Sequence, residues 1–173
     1  LENVDPDLSD LTNGIDYYNV GSACIQLKRY PEALAALQSA RAFFKKEKEP
    51  ERVYYCDEYI TVCFIELGNS VEAMRHAQKT LDFAITSQKT ILEIWARYRM
   101  GCAKILIGET DEAEEELRQA LSMNANACHT DWDLAIDIEK EIAKLLVSKG
   151  RVAEADEILR RIANLEEIME DEE

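Results

Sequence analysis

Two markers return along this chain at the same intervals, and that periodicity limits what it can fold into more than any other feature. A Glu-Ala step or its equivalent closes on Ala33, Ala73, Ala113 and Ala155, at spacings of 40, 40 and 42 residues. A small residue in the preceding segment recurs at Gly21, Thr61, Gly101 and Ala143, again 40, 40 and 42 apart. Repetition at such a period is the signature of stacked supersecondary units, each too small to bury its apolar face alone. Small residues are required at both positions for one physical reason: they let two paired helices approach, where bulk would drive the axes apart.

The segments between the markers read as helices. Cys63-Phe64-Ile65-Glu66-Leu67-Gly68, Ala103-Lys104-Ile105-Leu106-Ile107-Gly108 and Lys144 to Gly150 end in glycine, the residue that takes the left-handed conformation past a helix end at no steric cost; Ala23 to Leu27 is the fourth copy. Helix starts follow at Tyr30-Pro31-Glu32-Ala33, Ser70-Val71-Glu72-Ala73, Thr110-Asp111-Glu112-Ala113 and Arg151 to Ala155. Ser70, Thr110 and Thr130 are candidate caps, and Pro31 suits a first helical position. The pattern predicts helices over 15–29, 31–48, 51–67, 70–87, 89–107, 110–124, 131–149 and 152–169, with a lead-in turn around Pro6 to Leu11. Leu37, Ala77, Leu117 and Leu159 fall on one face of the second helices, four residues after the recurrent alanines.

Taken together, Gly/Ala, Gly and Glu-Ala in four registered copies resemble the tetratricopeptide repeat family over roughly residues 15–169. The step of 40 to 42 residues exceeds the family's ~34, which longer helices accommodate. The resemblance implies an all-α, right-handed α-solenoid of four antiparallel helix pairs. Its divisions are a lead-in at 1–14 and repeats at 15–49, 50–88, 89–127 and 128–173, the last with a capping helix and acidic tail. Ile162 stands where the fourth repeat should have a second small residue, as suits a terminal cap.

The resemblance also implies a scaffold that binds protein or peptide on the concave face lined by first helices. The positions carried over are Tyr18, Asn19, Ser22 and Gln26; Tyr55, Glu58, Tyr59, Val62 and Glu66; Trp95, Tyr98, Arg99 and Cys102; and Asp137, Lys140, Glu141 and Lys144. Four tyrosines and a tryptophan offer broad contact area with polar tips. Arg99 could pair with a carboxylate and Asn19 with a peptide backbone. Two readings stand side by side: these aromatics form a binding groove, or they fill the space between long helices. The chaperone-tail clamp of Lys and Asn residues is not reproduced, since Tyr18, Ser22 and Tyr59 occupy its positions. Long repeats of this kind also resemble those of bacterial peptide-sensing regulators. The alternative reading is therefore a regulatory domain whose output domain lies outside this chain, which begins at Leu1 and could be a fragment.

Composition narrows the partners. A net charge of −15 disfavours nucleic acid, whose binding rests on Lys and Arg neutralising phosphates. No apolar run reaches the ~18 residues of a membrane span. The five cysteines, Cys24, Cys56, Cys63, Cys102 and Cys128, form no C-x-x-C pair and read as core-filling thiols of a reducing, cytoplasmic protein. His76, beside Arg75 and Lys79, reads as part of a solvated face, and Cys128-His129 lacks further ligands nearby. No phosphate loop, nucleophile elbow or metal motif appears, so the expectation is a non-enzyme without cofactor or metal. The stripe Ile158, Ile162, Leu165 and Met169 reads as a cap, with self-association through the C-terminal helix as the alternative.

Overall fold

The periodic pattern becomes eight helices. The computed structural model describes residues 13–171, and among them there is no strand: α1 (Gly14–Gln26), α2 (Tyr30–Lys46), α3 (Pro50–Glu66), α4 (Ser70–Ser87), α5 (Thr90–Ile107), α6 (Thr110–Ala125), α7 (Trp132–Ser148) and α8 (Val152–Asp171). The expected lead-in turn lies outside the described residues, as do the side chains of Met169 and of the acidic end. The chain divides into two compact units, one reaching Phe83 and one starting at Ala84. In the first unit α1 packs on α2 and α2 on α3, and in the second α5 packs on α6, α6 on α7 and α7 on α8.

Helix ends follow a local rule. Gly68, Gly108 and Gly150 adopt φ of 67°, 81° and 75°, and Lys28 at the same register position adopts 57° without being glycine. In each turn the residue after the left-handed one donates its N–H five residues back: Arg29 to Cys24, Asn69 to Phe64, Glu109 to Lys104 and Arg151 to Leu146. These bonds satisfy carbonyls that the helix end leaves open. Lys48 repeats the device at 60°, with Glu49 donating to Phe44, and Gln88 is left-handed at 55° before α5. The first helix therefore stops at Gln26, three residues before the expected end.

Capping differs from expectation. Asn13 caps α1, accepting from the N–H of Ile15 at 2.9 Å and of Asp16 at 3.0 Å. The Asn69 side chain accepts from Glu72, and Asp131 accepts from Leu134 at 3.0 Å. Ser70 and Thr110 are the first residues of their helices, and Thr130 lies one residue outside the cap. Sequence inspection ranks Ser, Thr, Asn and Asp alike, so it cannot fix the register of a cap among neighbours. Asn124 is fully buried: its amide donates to Asp131 O at 2.7 Å and accepts from Asp131 N at 3.2 Å, closing the loop before α7.

The small-residue markers do what spacing demands. A Cβ placed on Gly21 would lie 2.5 Å from Leu37 Cγ, and one on Gly101 would lie 2.7 Å from Leu117 Cγ. Ala33, Ala73, Ala113 and Ala155 are completely buried, as are Leu37, Ala77 and Leu117. Leu159 breaks the series at 46% exposed. A glycine faces leucine in the first and third pairs, and Thr61 is matched with Ala77 in the second. In the last pair the buried Ala143 stands at the glycine position and leucine is kept at 159. Ile158 and Ile162 enter the core instead, so two members of the α8 stripe are buried within the second unit.

Candidate functional site

In the first unit, α1 supplies Tyr18 and α3 supplies Tyr54, Tyr55 and Tyr59. Tyr18 stacks on Tyr59 with centroids 5.4 Å apart and planes 26° apart. Burial, and then the hydrogen-bonded neighbour Tyr59, push the Tyr18 hydroxyl upward, so it stays neutral. Tyr55 is 43% exposed and meets the buried Tyr54 edge-on at 5.5 Å. A cavity of about 370 Å³ opens between Ile15, Tyr18, Phe44, Arg52 and Tyr55. Its Arg52 guanidinium lies 5.2 Å from the Phe44 centroid and pairs with Glu49 at 2.6 Å. Asn19 is exposed and Ser22, Tyr59 and Val62 are half-buried, but none of the four lines this cavity. Sequence reasoning missed Ile15, Phe44 and Arg52. Phe44 sits on a second helix, and Ile15 and Arg52 lie one turn before the concave positions of α1 and α3.

In the second unit, Trp95 and Tyr98 stand one turn apart on α5 with centroids 6.3 Å apart. The Arg99 guanidinium lies 4.6 Å from the Tyr98 centroid and 5.4 Å from that of Trp95. A stacked guanidinium keeps its face on the rings and its N–H fork in plane, the geometry that suits planar acceptors. Tyr98 itself is buried, which pushes its hydroxyl upward, and burial likewise raises the Cys102 thiol to about 12. On α7, Lys144 pairs with Glu141 at 2.6 Å and Lys140 with Glu166 at 2.9 Å, all four groups lying near the surface.

Known proteins resemble this arrangement of helices. The tetratricopeptide repeat family matches residues 96–126. The apo form of RapI superposes with a TM-score of 0.76 at 14% identity, over 95% of this chain and 61% of that one. A Rap protein complexed with Competence and Sporulation Factor gives 0.77 at 17% identity, over 91% of this chain and 44% of that one. This is a tetratricopeptide-type helical-repeat fold. A kinesin light chain of Podosopora anserina with nearly identical TPR-like repeats gives 0.69 at 16% identity, over 95% and 77% of the two chains. No curated protein sequence gives a significant match. The chain thus spans 61% and 44% of the two Rap chains, so what those whole proteins do is not carried over by the fold.

Within this tetratricopeptide-type fold, polar hubs tie the helices together. Asp57 on α3 is 2% exposed. It accepts from Arg41 Nε at 2.7 Å, His76 Nδ1 at 2.9 Å and Lys79 Nζ at 2.6 Å. Burial alone would raise this carboxyl; the bonds from His76, Lys79 and Arg41 leave it below the usual carboxylate range. His76 is 7% exposed, which corrects the expectation of a solvated face. Its ring lies against Phe64 and its Nε2 is 3.1 Å from Arg75 Nη2. Arginine only donates, so Nε2 accepts and Nδ1–H donates to Asp57.

In the second unit Glu114 accepts from Arg118, Lys149 and Arg151, and Glu116 from Arg97 and Lys104. Among the described residues no group of three or more His, Cys, Asp or Glu is arranged to hold a metal ion. The described cysteines are all free thiols, with Cys24, Cys56 and Cys63 buried and Cys128 exposed.

Proposed function

We propose that the chain is a scaffold that captures protein or peptide segments on the aromatic faces of α1 and α3 and of α5. The observation that carries this reading is the cavity between Ile15, Tyr18, Phe44, Arg52 and Tyr55. It pairs apolar and aromatic walls with a guanidinium, the composition of a pocket that anchors an apolar side chain and orients it through one polar contact. Trp95 and Arg99 supply a second aromatic surface with a cation on it. The remaining site residues, Asn19, Ser22, Tyr59, Val62, Tyr98, Lys140 and Lys144, would frame these anchors. Helical-repeat folds of this kind serve generally as interaction scaffolds, which supports binding over catalysis.

The test is a peptide-display selection against the whole chain. Peptides enriched on the wild type should bind Tyr55→Ala and Trp95→Ala at least about tenfold more weakly while far-UV circular dichroism is unchanged. Enriched peptides that bind both variants as tightly as the wild type would overturn the assignment.

A second reading is a peptide-sensing regulatory module, favoured by the likeness to a Rap protein complexed with Competence and Sporulation Factor. Sequencing the complete gene tests it. An output domain continuous with these residues supports regulation, and a reading frame ending near Glu173 opposes it.

A further inference from the structure

The repeat places an ionisable residue at one register position of three helices: Asp57 on α3, Arg97 on α5 and Glu139 on α7. The first two are saturated with partners. Asp57 receives Arg41 and His76 on one oxygen and Lys79 on the other, and Arg97 donates to Glu93 and Glu116. Glu114 and Glu116 also carry donors on both oxygens. Glu139 departs from this pattern. It is 7% exposed, and Arg161 Nη2 donates to its Oε1 at 2.6 Å. Its Oε2 is buried with no hydrogen-bond partner among the described residues. A buried carboxylate oxygen without a donor carries its full desolvation cost.

Two of the three donors to Asp57 have no counterpart at Glu139, and register identifies them: the position of His76 is the buried Ile158. Arg161 stands where Lys79 stands beside Asp57. The position of Arg41, on the second helix of the preceding pair, is Leu121. Leu121 lines a cavity of about 370 Å³ with Trp132, Ile136, Glu139, Arg161 and Leu165. Where Asp57 receives a guanidinium from its own chain, Glu139 is one of the residues that line a cavity.

We propose that this cavity is a binding site for an alkylguanidinium, which pairs with the Glu139 carboxylate as Arg41 pairs with Asp57, the carboxyl turning its buried Oε2 to the cavity wall. The aliphatic stem would run along Leu121, Ile136 and Leu165. Trp132, 53% exposed, offers an indole on which a guanidinium can stack. The chain's net charge of −15 favours a cationic ligand. Lys140 follows Ile136 by one turn and its partner Glu166 adjoins Leu165, so the site borders the Lys140 position of the scaffold reading; variants at Glu139, Trp132 and Leu121 leave Lys140 and Lys144 intact and test it separately.

The test uses the whole chain, labelled with nitrogen-15, and two probes. Agmatine presents the free guanidinium, and acetyl-Leu-Arg-Leu-amide presents it on a peptide. Agmatine should shift the Trp132 indole N–H and the amides of residues 121–125 saturably. In Glu139→Gln, which keeps the shape and removes the charge, affinity should fall at least about tenfold. Trp132→Ala, at the exposed rim, should weaken binding about threefold or more through lost stacking. Leu121→Arg, which restores the residue of the other hub, should abolish it. A peptide that binds markedly tighter than agmatine assigns the site to a chain segment, and equal affinity assigns it to a free small molecule. No saturable shift in the wild type, or unchanged affinity in folded Glu139→Gln, overturns the proposal.

Discussion

His76 Nδ1 donates to Asp57 Oδ1 across 2.9 Å, joining two residues nineteen positions apart in the chain on helices α3 and α4. Arg41 brings α2 to the same carboxylate. One buried charge therefore fastens three helices of the first unit. Asp57→Ala would strand a buried imidazole and two cations, and should lower stability by about 3 kcal/mol, read as a shift in urea midpoint with unchanged m. A loss below about 1 kcal/mol would reduce the hub to an incidental cluster.

Acid sensitivity follows from the same chemistry. Burial would raise Glu114, but bonds from Lys149, Arg118 and Arg151 lower it from 4.5 to about 2, and Asp57 is lowered as well. A carboxylate depressed by folding contributes stability above its unfolded value and loses it as pH falls through the folded one. Thermal melting should accordingly be level near neutrality and fall from about pH 4.5 toward pH 2. Glu114→Gln should flatten part of that fall; an acid limb identical to the wild type would contradict the assignment.

Gly21 and Gly101 are steric requirements. Their missing Cβ atoms would sit 2.5 Å and 2.7 Å from leucine Cγ atoms. Gly21→Ala should destabilise by about 1–3 kcal/mol despite alanine's better helix propensity. Adding Leu37→Ala should recover part of that loss by relieving the clash, because the second pair already matches Thr61 with Ala77. Chemical denaturation of the single and double variants measures the coupling.

Lys28 holds φ at 57° where its counterparts are glycines. Lys28→Gly should stabilise the chain by up to about 1 kcal/mol, the residue's left-handed cost less the entropy glycine adds to the unfolded state. The reciprocal Gly68→Ala should destabilise. Opposite signs in urea unfolding test the pair.

Thiol reactivity should divide by burial. Cys128 is exposed, while burial first of all pushes Cys56 and Cys63 up to about 12. A chromogenic disulfide should titrate Cys128 quickly in the native protein and the other two about a hundredfold more slowly, because the thiolate is the nucleophile. Equal rates would mean that the first unit opens readily.

Much of this was legible beforehand because it is local or strictly periodic. The αL turns at Gly68, Gly108 and Gly150 and the buried alanines at 33, 73, 113 and 155 sit where spacing placed them. Leu159 keeps the register of Leu37, Ala77 and Leu117, but register alone does not say that it is 46% exposed where they are buried. In the aromatic cavity, Tyr18 and Tyr55 were legible from register, but Phe44 and Arg52 were not, since Phe44 comes from a second helix and Arg52 lies one turn before the concave positions of α3.

The sequence by itself determined the helices, their pairing and the 40-residue step, because helix ends and close approaches depend on residue size and backbone freedom at fixed spacing. Charge partnerships were decided by the tertiary structure alone. Whether His76 meets solvent or Asp57, and whether Glu139 receives one donor or two, depends on which side chains from separate helices converge on one buried oxygen. Desolvation makes that convergence decisive, and no single helix carries it.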